Sequence, residues 1–159
     1  MTTKTADLAI RAVTMEGTTS ALAPQERVNI DTGSATTFVS QHSLVRHQLK
    51  AHVAGKQMVM TQTAAAEFTG LLSVAGPAEA ARAQRFMRRV EIIPDNPSVR
   101  AMALRETRRV GAADKVIFGT GDQLSIPTIT SDAKFVRGAA AQGVDFVVIL
   151  HNPVPLRGQ

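Results

Sequence analysis

Five short runs of closely spaced apolar residues punctuate the chain and predict β-strands. The runs span residues 28–30, 58–60, 90–93, 127–130 and 144–150. The last run has little polar interruption, which is typical of a strand covered on both faces of its sheet.

The segments between these runs carry apolar residues at helical spacing. After the first strand, Phe38, Val45, Leu49 and Val53 predict one helix that Gly55 ends. Further helices are predicted from Thr61 or Thr63 to Leu72, from Pro77 to Arg89, from Ser98 to Arg109, from Ala112 to Gln123 and from Ala133 to Gln142. Strands that alternate with helices predict an α/β fold of three layers (α/β/α) with a mostly parallel central sheet.

The periodic pattern begins only after the first 26 residues. Residues 1–26 are rich in Thr and Ala and predict an N-terminal arm or linker, with one short strand around Leu8–Val13. Residues 27–159 predict a single domain, without internal repeats, and that length can bury a core. We see neither a membrane-spanning run nor a signal peptide, and therefore expect a cytoplasmic site of action and no membrane partner.

The composition excludes several classes of site, and the net charge is concentrated in one segment. The chain has no cysteine, which excludes disulfides, zinc–thiolate sites and iron–sulfur clusters. Residues 82–109 hold eight arginines against three acids, so this segment alone carries the whole net charge of +5. Arginine suits phosphate recognition, so either an anionic polymer or a solubilising helix face explains the segment.

Four acids fall where an open α/β sheet gathers its ligands, beyond the carboxyl ends of the strands. Asp31 and Asp132 each follow a strand directly, Glu67 lies early in the helix after the second strand, and Asp114 opens the helix before the fourth. Taken singly, each has a structural interpretation, as a helix cap, a first-turn charge or a solvated residue. Taken together, four carboxylates favour a hard cation, Mg²⁺ or Mn²⁺, and metal-assisted phosphodiester hydrolysis.

Four segments carry these acids in an order and at separations that resemble the PIN-domain nucleases, a family that includes the VapC-like toxin ribonucleases. The segments are Val28 to Thr32, Thr61 to Glu67, Gly111 to Ile117 and Ile126 to Phe135. The last, a strand ending in Thr-x-Asp and followed by Phe, is the most specific, and the likeness spans roughly residues 28 to 150.

The resemblance implies a PIN-like fold and a metal-dependent endoribonuclease that leaves 3′-hydroxyl and 5′-phosphate ends. It implies Asp31, Glu67, Asp114 and Asp132 as ligands of Mg²⁺ or Mn²⁺. Thr130 would orient a carboxylate or water through its hydroxyl, and Thr32 can do the same. The resemblance also implies a toxin or effector with a cognate antitoxin or immunity protein, and a homodimer is compatible with it.

Basic residues on either side of an acidic centre are needed to attract an RNA substrate. We assign RNA binding to six arginines: Arg82, Arg85, Arg89, Arg105, Arg108 and Arg109. The chain has no Tyr or Trp, so we expect contacts to the RNA backbone and shape rather than base stacking.

Several alternatives remain beside this interpretation. Asp122 is either an additional ligand or a turn residue, and His151, after the last strand, has no evident partner. The alternative function is a PIN-like module that binds RNA or protein without cutting. A receiver or nucleotide-binding module would need an acidic pair or a glycine loop after the first strand, and neither is present.

Overall fold

The computed structural model describes residues 26–40 and 43–158. The predicted arm and its strand around Leu8–Val13 lie outside the described residues. A five-stranded sheet forms the centre, and every neighbouring pair of strands is parallel, in the order β3-β2-β1-β4-β5. The strands are β1 (Arg27–Ile30), β2 (Gln57–Thr61), β3 (Val90–Ile93), β4 (Thr128–Thr130) and β5 (Val148–Leu150). The predicted α/β fold with a parallel central sheet is confirmed.

Seven α-helices and one 3₁₀ turn at Leu72–Val74 connect these strands in the described part of the chain. The helices are α1 (Thr32–Val39), α2 (Leu44–Val53), α3 (Gln62–Leu71), α4 (Pro77–Met87), α5 (Val99–Met102), α6 (Ala112–Gln123) and α7 (Ala133–Ala141). None of these described helices is long and apolar enough to cross a membrane.

The strand order determines which face each helix covers. The chain moves from β1 to β2 to β3 in one direction, then crosses to the far side of β1 for β4 and β5. Because crossovers between parallel strands are right-handed, α1 to α4 cover one face and α5 to α7 cover the other. The connections leave β1 and β4 in opposite directions, so the gap between these two strands is the topological switch point, where such folds bind ligands.

The phenylalanines form two separate clusters that agree with these two layers. Every one is at most 9% exposed, so none is available at the surface to stack on a base. One cluster belongs to α1, α3 and α4, and the other to α6, α7 and the segment before β5: Phe38, Phe68 and Phe86 in the first, Phe118, Phe135 and Phe146 in the second.

The predicted single helix through Phe38 and Val53 is wrong, because the chain forms two helices there. α1 ends at Ser40, whose backbone is extended and whose hydroxyl donates to the carbonyl of Thr37. α2 begins at Ser43, whose side chain accepts from the backbone N–H of Arg46 at 3.1 Å. Serine competes with the helical backbone for hydrogen bonds, and therefore favours helix ends over helix interiors.

Two other expected elements are shorter than predicted. The helix expected over 98–109 stops after α5, and the chain continues as turns in which Thr107 N–H donates to the carbonyl of Val110. The strand expected over 144–150 pairs only as β5, and it is not covered on both faces. β5 lies at the edge of the sheet and is half-exposed, while Val147, just before it, is 72% exposed.

Gly119 allows the segment before α5 to approach α6 closely. A Cβ at this position would lie 2.8 Å from the Cβ atoms of Ala101 and Pro97, closer than packed carbon atoms tolerate. Gly121, two residues further along α6, would meet the Thr128 hydroxyl at 2.6 Å in the same way. The glycines that interrupt the helical pattern of α6 are therefore packing requirements.

We predict that Gly119→Ala lowers the free energy of unfolding by about 1–3 kcal/mol, because Ala101 and Pro97 must move to accept the methyl group. Gly70→Ala in α3 is the matched control, since a methyl group at that position would meet nothing within 4 Å. The control should gain about 0.5–1 kcal/mol from helix propensity. Urea denaturation measures both, and equal effects of the two substitutions would contradict the packing argument.

Candidate functional site

Four carboxylates come from four elements that meet at the carboxyl edge of the sheet. Asp31 follows β1 and caps α1, and Asp132 follows β4 and caps α7. Asp114 lies in the first turn of α6, and Glu67 lies in the second turn of α3. We refer to these four side chains as the acidic cluster.

Asp31 is the most deeply buried member of the acidic cluster. It is 7% exposed, and its Oδ1 accepts from the backbone N–H of Ser34 at 2.8 Å. Burial raises the pKa of this carboxyl, while hydrogen bonds from Thr130 and Ser34 and the charge of His151 oppose that rise. These hydrogen bonds fix the direction of the carboxylate at the end of β1.

Thr130 links the two acids at the switch point. Its hydroxyl oxygen accepts from the backbone N–H of Asp132 at 2.9 Å, and the same hydroxyl lowers the pKa of the nearby Asp31 carboxyl. A hydroxyl has one hydrogen to donate and can also accept, so Thr130 can accept from Asp132 and still direct its hydrogen towards Asp31. The side chain is fully buried, which holds this link in one geometry.

Thr32 has the corresponding relation to the acid on α3. Its hydroxyl donates to Oε1 of Glu67 at 2.6 Å, although the two residues are 35 positions apart. The contact orients the Glu67 carboxylate from the first turn of α1. The expectation that Thr32 contacts a carboxylate agrees with this geometry.

The pKa of Asp114 reflects the proximity of the other three acids. Burial, followed by the negative charges of Asp132, Asp31 and Glu67, raises this pKa to about 6. The four carboxyl groups of the acidic cluster therefore lie close enough together to interact electrostatically.

The donor chemistry of the cluster suits a hard cation, since all of its ligating atoms are carboxylate oxygens. In residues 26–40 and 43–158, no three His, Asp or Glu side chains stand close enough together to form a metal site as they are oriented. The four acids interact electrostatically, but their side chains do not converge on one point. Their assignment as metal ligands stays a prediction.

His151, which has no evident partner in the sequence, lies next to the acidic cluster. Its Nε2 lies 2.7 Å from the Ser34 hydroxyl, and its Nδ1 lies 2.8 Å from the carbonyl oxygen of Asn152. His151 directly follows β5, so the strand-end rule that selected Asp31 and Asp132 would have selected it as well.

The structure separates the six arginines assigned to RNA binding into two groups. Arg105, Arg108 and Arg109 are exposed in the segment that leads into α6 and its Asp114. Arg82, Arg85 and Arg89 instead line a cleft at the far end of α1, described below.

Asp122 takes neither of the two roles left open for it. It lies in the last turn of α6, at the end opposite Asp114, and its carboxylate pairs with the Arg100 guanidinium at 2.6 Å. It also accepts from the Ser98 hydroxyl at 2.7 Å, and these contacts hold its pKa below the usual range. Asp122 therefore fastens α5 to α6, away from the acidic cluster.

Residues 35–159 match the family model described as "Protein of unknown function (DUF1308)". The chain belongs to the DUF1308 family. Three members of the acidic cluster, Glu67, Asp114 and Asp132, lie inside the matched segment of this DUF1308 protein, and Asp31 lies just before it.

Solved structures with a similar fold include two VapBC complexes. A chain of VapBC2 from Rickettsia felis, bound to a DNA fragment from their promoter, has a TM-score of 0.58 and 17% identity, covering 80% of this chain and 99% of that one. A chain of DNA-bound VapBC from Salmonella typhimurium has a TM-score of 0.57 and 14% identity, covering 80% and 98%. A domain of a functionally unknown protein from Methanocaldococcus jannaschii has a TM-score of 0.51 and 14% identity, covering 84% and 96%. At these identities the likeness establishes the fold, which is consistent with the PIN-like architecture expected from the sequence.

We predict that Asp114→Asn stabilises the protein at high pH. Because the folded-state pKa is about 6 and the ordinary value is 3.8, the unfolded chain loses this proton at lower pH than the folded protein. Stability therefore falls as the pH rises from about 4 to about 6, and the penalty is complete above that range. The variant should gain about 1 kcal/mol at pH 8, less than the full pKa shift implies because Asp114 is partly exposed, and the gain should vanish near pH 3. Thermal unfolding in EDTA at both pH values measures this, and a variant less stable than wild type at pH 8 would contradict it.

Proposed function

We propose that this DUF1308 protein is an endoribonuclease that hydrolyses phosphodiester bonds with Mg²⁺ or Mn²⁺. The observation that carries the proposal is the acidic cluster at the switch point. There Thr130 lies beside both Asp31 and Asp132, and the negative charges of the other three acids raise the pKa of Asp114. The PIN-like motifs of the sequence and the fold shared with VapBC chains support it.

Each residue of the site has a defined task in this proposal. Asp31, Glu67, Asp114 and Asp132 supply oxygen ligands, and Thr130 and Thr32 hold two of those carboxylates in fixed directions. A bound divalent cation supplies a water of lowered pKa and stabilises the leaving oxygen.

Proton competition sets the pH range of cation binding. Carboxylates bind cations only after losing their protons, and Asp114 holds its proton up to about pH 6. Cation affinity should therefore fall as the pH drops below that value.

We assign substrate binding to exposed arginines of the segment that leads into α6. Arg108 and Arg109 are exposed just before α6, where they can contact backbone phosphates, whereas Arg105 lies at the end of α7 away from Asp132, where its backbone N–H donates to the Gln142 side chain at 2.8 Å. With all phenylalanines buried, base stacking contributes little, and the protein should select RNA by shape and backbone.

We predict that Asp31→Asn and Asp132→Asn each reduce RNA cleavage by at least about a hundredfold while leaving the fold intact. Both residues cap helices, and asparagine caps as well as aspartate, so the substitution removes charge without removing the cap. Asp145→Asn, at an exposed aspartate before β5, is the matched control and should cleave like wild type. Labelled RNA with and without Mn²⁺ measures the rate, and end mapping should find 3′-hydroxyl and 5′-phosphate ends. Full activity in EDTA, or in both cluster variants, would refute the proposal.

We predict that Thr130→Val lowers the cleavage rate about tenfold or more through its effect on the two acids it contacts. Thr130 is a positioning residue in this proposal, so Thr130→Ser, which keeps the hydroxyl, should restore activity. Calorimetric titration with Mn²⁺ should show weaker binding by Thr130→Val and near-normal binding by Thr130→Ser. Unchanged Mn²⁺ affinity in Thr130→Val would remove the hydroxyl from the proposed site.

The alternative function is a PIN-like module that binds RNA or protein without cutting. The same calorimetric titration with Mn²⁺ distinguishes it from the proposed nuclease. A scaffold has no need to bind Mn²⁺, whereas the proposed nuclease binds it through the acidic cluster.

A toxin role with an inhibitory partner protein is part of the proposal, because two of the solved structures of similar fold are VapBC complexes. Growth arrest on expression that Asp31→Asn relieves would support that role, and normal growth would count against it.

A further inference from the structure

A second charged feature, unlike the acidic cluster, lies between α2 and α4. It is a cleft of about 260 Å³ over the amino ends of β2 and β3. Five cations line it, two from α2, two from α4 and one just after α4: Arg46, Lys50, Arg82, Arg85 and Arg89. We call this feature the basic cleft.

Within the described ranges, these cations have no acidic partner. The residues lining the basic cleft include no Asp or Glu, and in the described part of the chain none of its five cations forms an ion pair. Burial and then the charges of Arg82 and Arg85 lower the pKa of Arg46, and burial followed by the neighbouring arginines lowers the pKa of Lys50. The repulsion is thus an unfavourable free energy that a bound anion would relieve.

The hydrogen-bonding capacity of the cleft is also incompletely used. Among residues 26–40 and 43–158, the buried Nε of Arg46 has no hydrogen-bond partner, and a single long contact, 3.4 Å from its Nη1 to the carbonyl of Ser40, engages the guanidinium. The Nε of Arg82 donates to the carbonyl of Val39 at 2.7 Å, which fixes that side chain at the end of α1. A buried donor without a partner is costly, and a ligand oxygen would satisfy it.

The basic cleft is separate from the acidic cluster. Arg82 contacts the last residue of α1, whereas Asp31 caps the first turn of the same helix. The 8 residues of α1 span roughly 12 Å, so the two features lie at opposite ends of this helix. The cations are too far away to neutralise the acids by direct contact.

We propose that the basic cleft is a binding site for a compact ligand carrying one or more phosphate groups. Four of the five cations are arginines, whose forked guanidinium groups match phosphate oxygens. A phosphate brings up to two negative charges in a small volume, whereas each carboxylate of an acidic peptide brings one, so phosphate better balances five cations in about 260 Å³. The cleft has an apolar base formed by Phe38, Val53, Met58 and Phe86, which lowers the local dielectric and strengthens the attraction.

This proposal does not depend on the nuclease proposal. The phosphate can belong to a small compound or to an RNA strand, and the test distinguishes these sources. If RNA supplies the phosphate, the basic cleft binds the strand at the end of α1 opposite the acidic cluster.

The test is calorimetric titration of the full chain in EDTA, which removes any cation-dependent binding at the acidic cluster. The probes are inorganic pyrophosphate, a 5′-phosphorylated oligoribonucleotide, the same oligoribonucleotide without the 5′-phosphate, and a hexaglutamate peptide. The variants are Arg46→Gln and Arg85→Gln. Arg88→Gln, at an exposed arginine next to α4 that does not line the cleft, is the control of equal charge change.

We expect pyrophosphate to bind wild type and Arg88→Gln alike, and to bind each cleft variant about tenfold more weakly, because a charge-assisted hydrogen bond is lost. Binding of pyrophosphate alone identifies a small phosphate compound. Additional cleft-dependent binding of an oligoribonucleotide identifies RNA. Asp31→Asn should bind pyrophosphate like wild type, so a failed nuclease proposal and a failed cleft proposal give different results.

Three results would overturn the proposal. The first is no binding of any phosphate probe to wild type. The second is equal weakening by Arg88→Gln, which would indicate general charge attraction. The third is hexaglutamate binding tighter than pyrophosphate, which would indicate an acidic protein partner.

The ligand-free melting temperature of Arg85→Gln should equal or exceed that of wild type because repulsion is relieved, and a clear fall would show that Arg85 already has a stabilising partner.

Discussion

Three helices point their N-terminal ends at the edge of the sheet where the acidic cluster lies. Asp31 caps α1, Asp132 caps α7, and Asp114 lies in the first turn of α6. The backbone N–H groups and the dipole at each of these ends stabilise negative charge, and so offset part of the repulsion among the four carboxylates. The parallel sheet is what makes this arrangement possible. A helix that follows a strand starts at the carboxyl edge, and a helix that returns to the next strand starts there too. Strand direction therefore determines both where the acids meet and how their charge is tolerated.

The parts of this arrangement that the sequence predicted are those set by local pattern. Strand ends and helix caps are inferred from neighbouring residues, so Asp31 and Asp132 were placed at the correct edge and α6 was predicted with its observed bounds. The break between α1 and α2 also had a local signal, the serines at 40 and 43, but the apolar spacing of Phe38 and Val53 outweighed it.

Other features depend on contacts that no local pattern contains. Whether β5 is covered on both faces depends on its position at the edge of the sheet, which follows from the order of all five strands. The dense arginine segment is one basic stretch along the chain, yet the fold places its first arginines beside α2 and its last ones near α6. The contact between His151 and Ser34 joins residues 117 positions apart. The result is an acidic cluster at one end of α1 and a basic cleft at the other, from a sequence whose net charge suggests only modest basicity.

The double use of Asp31 and Asp132 affects how this fold can change over evolutionary time. Here serine or asparagine at either position still caps the helix that begins there. Aspartate changes to asparagine by a single base substitution, which removes a charge from the acidic cluster and leaves the helix cap intact. Under the proposed function, a variant of this fold that no longer cleaves RNA therefore needs only this one substitution.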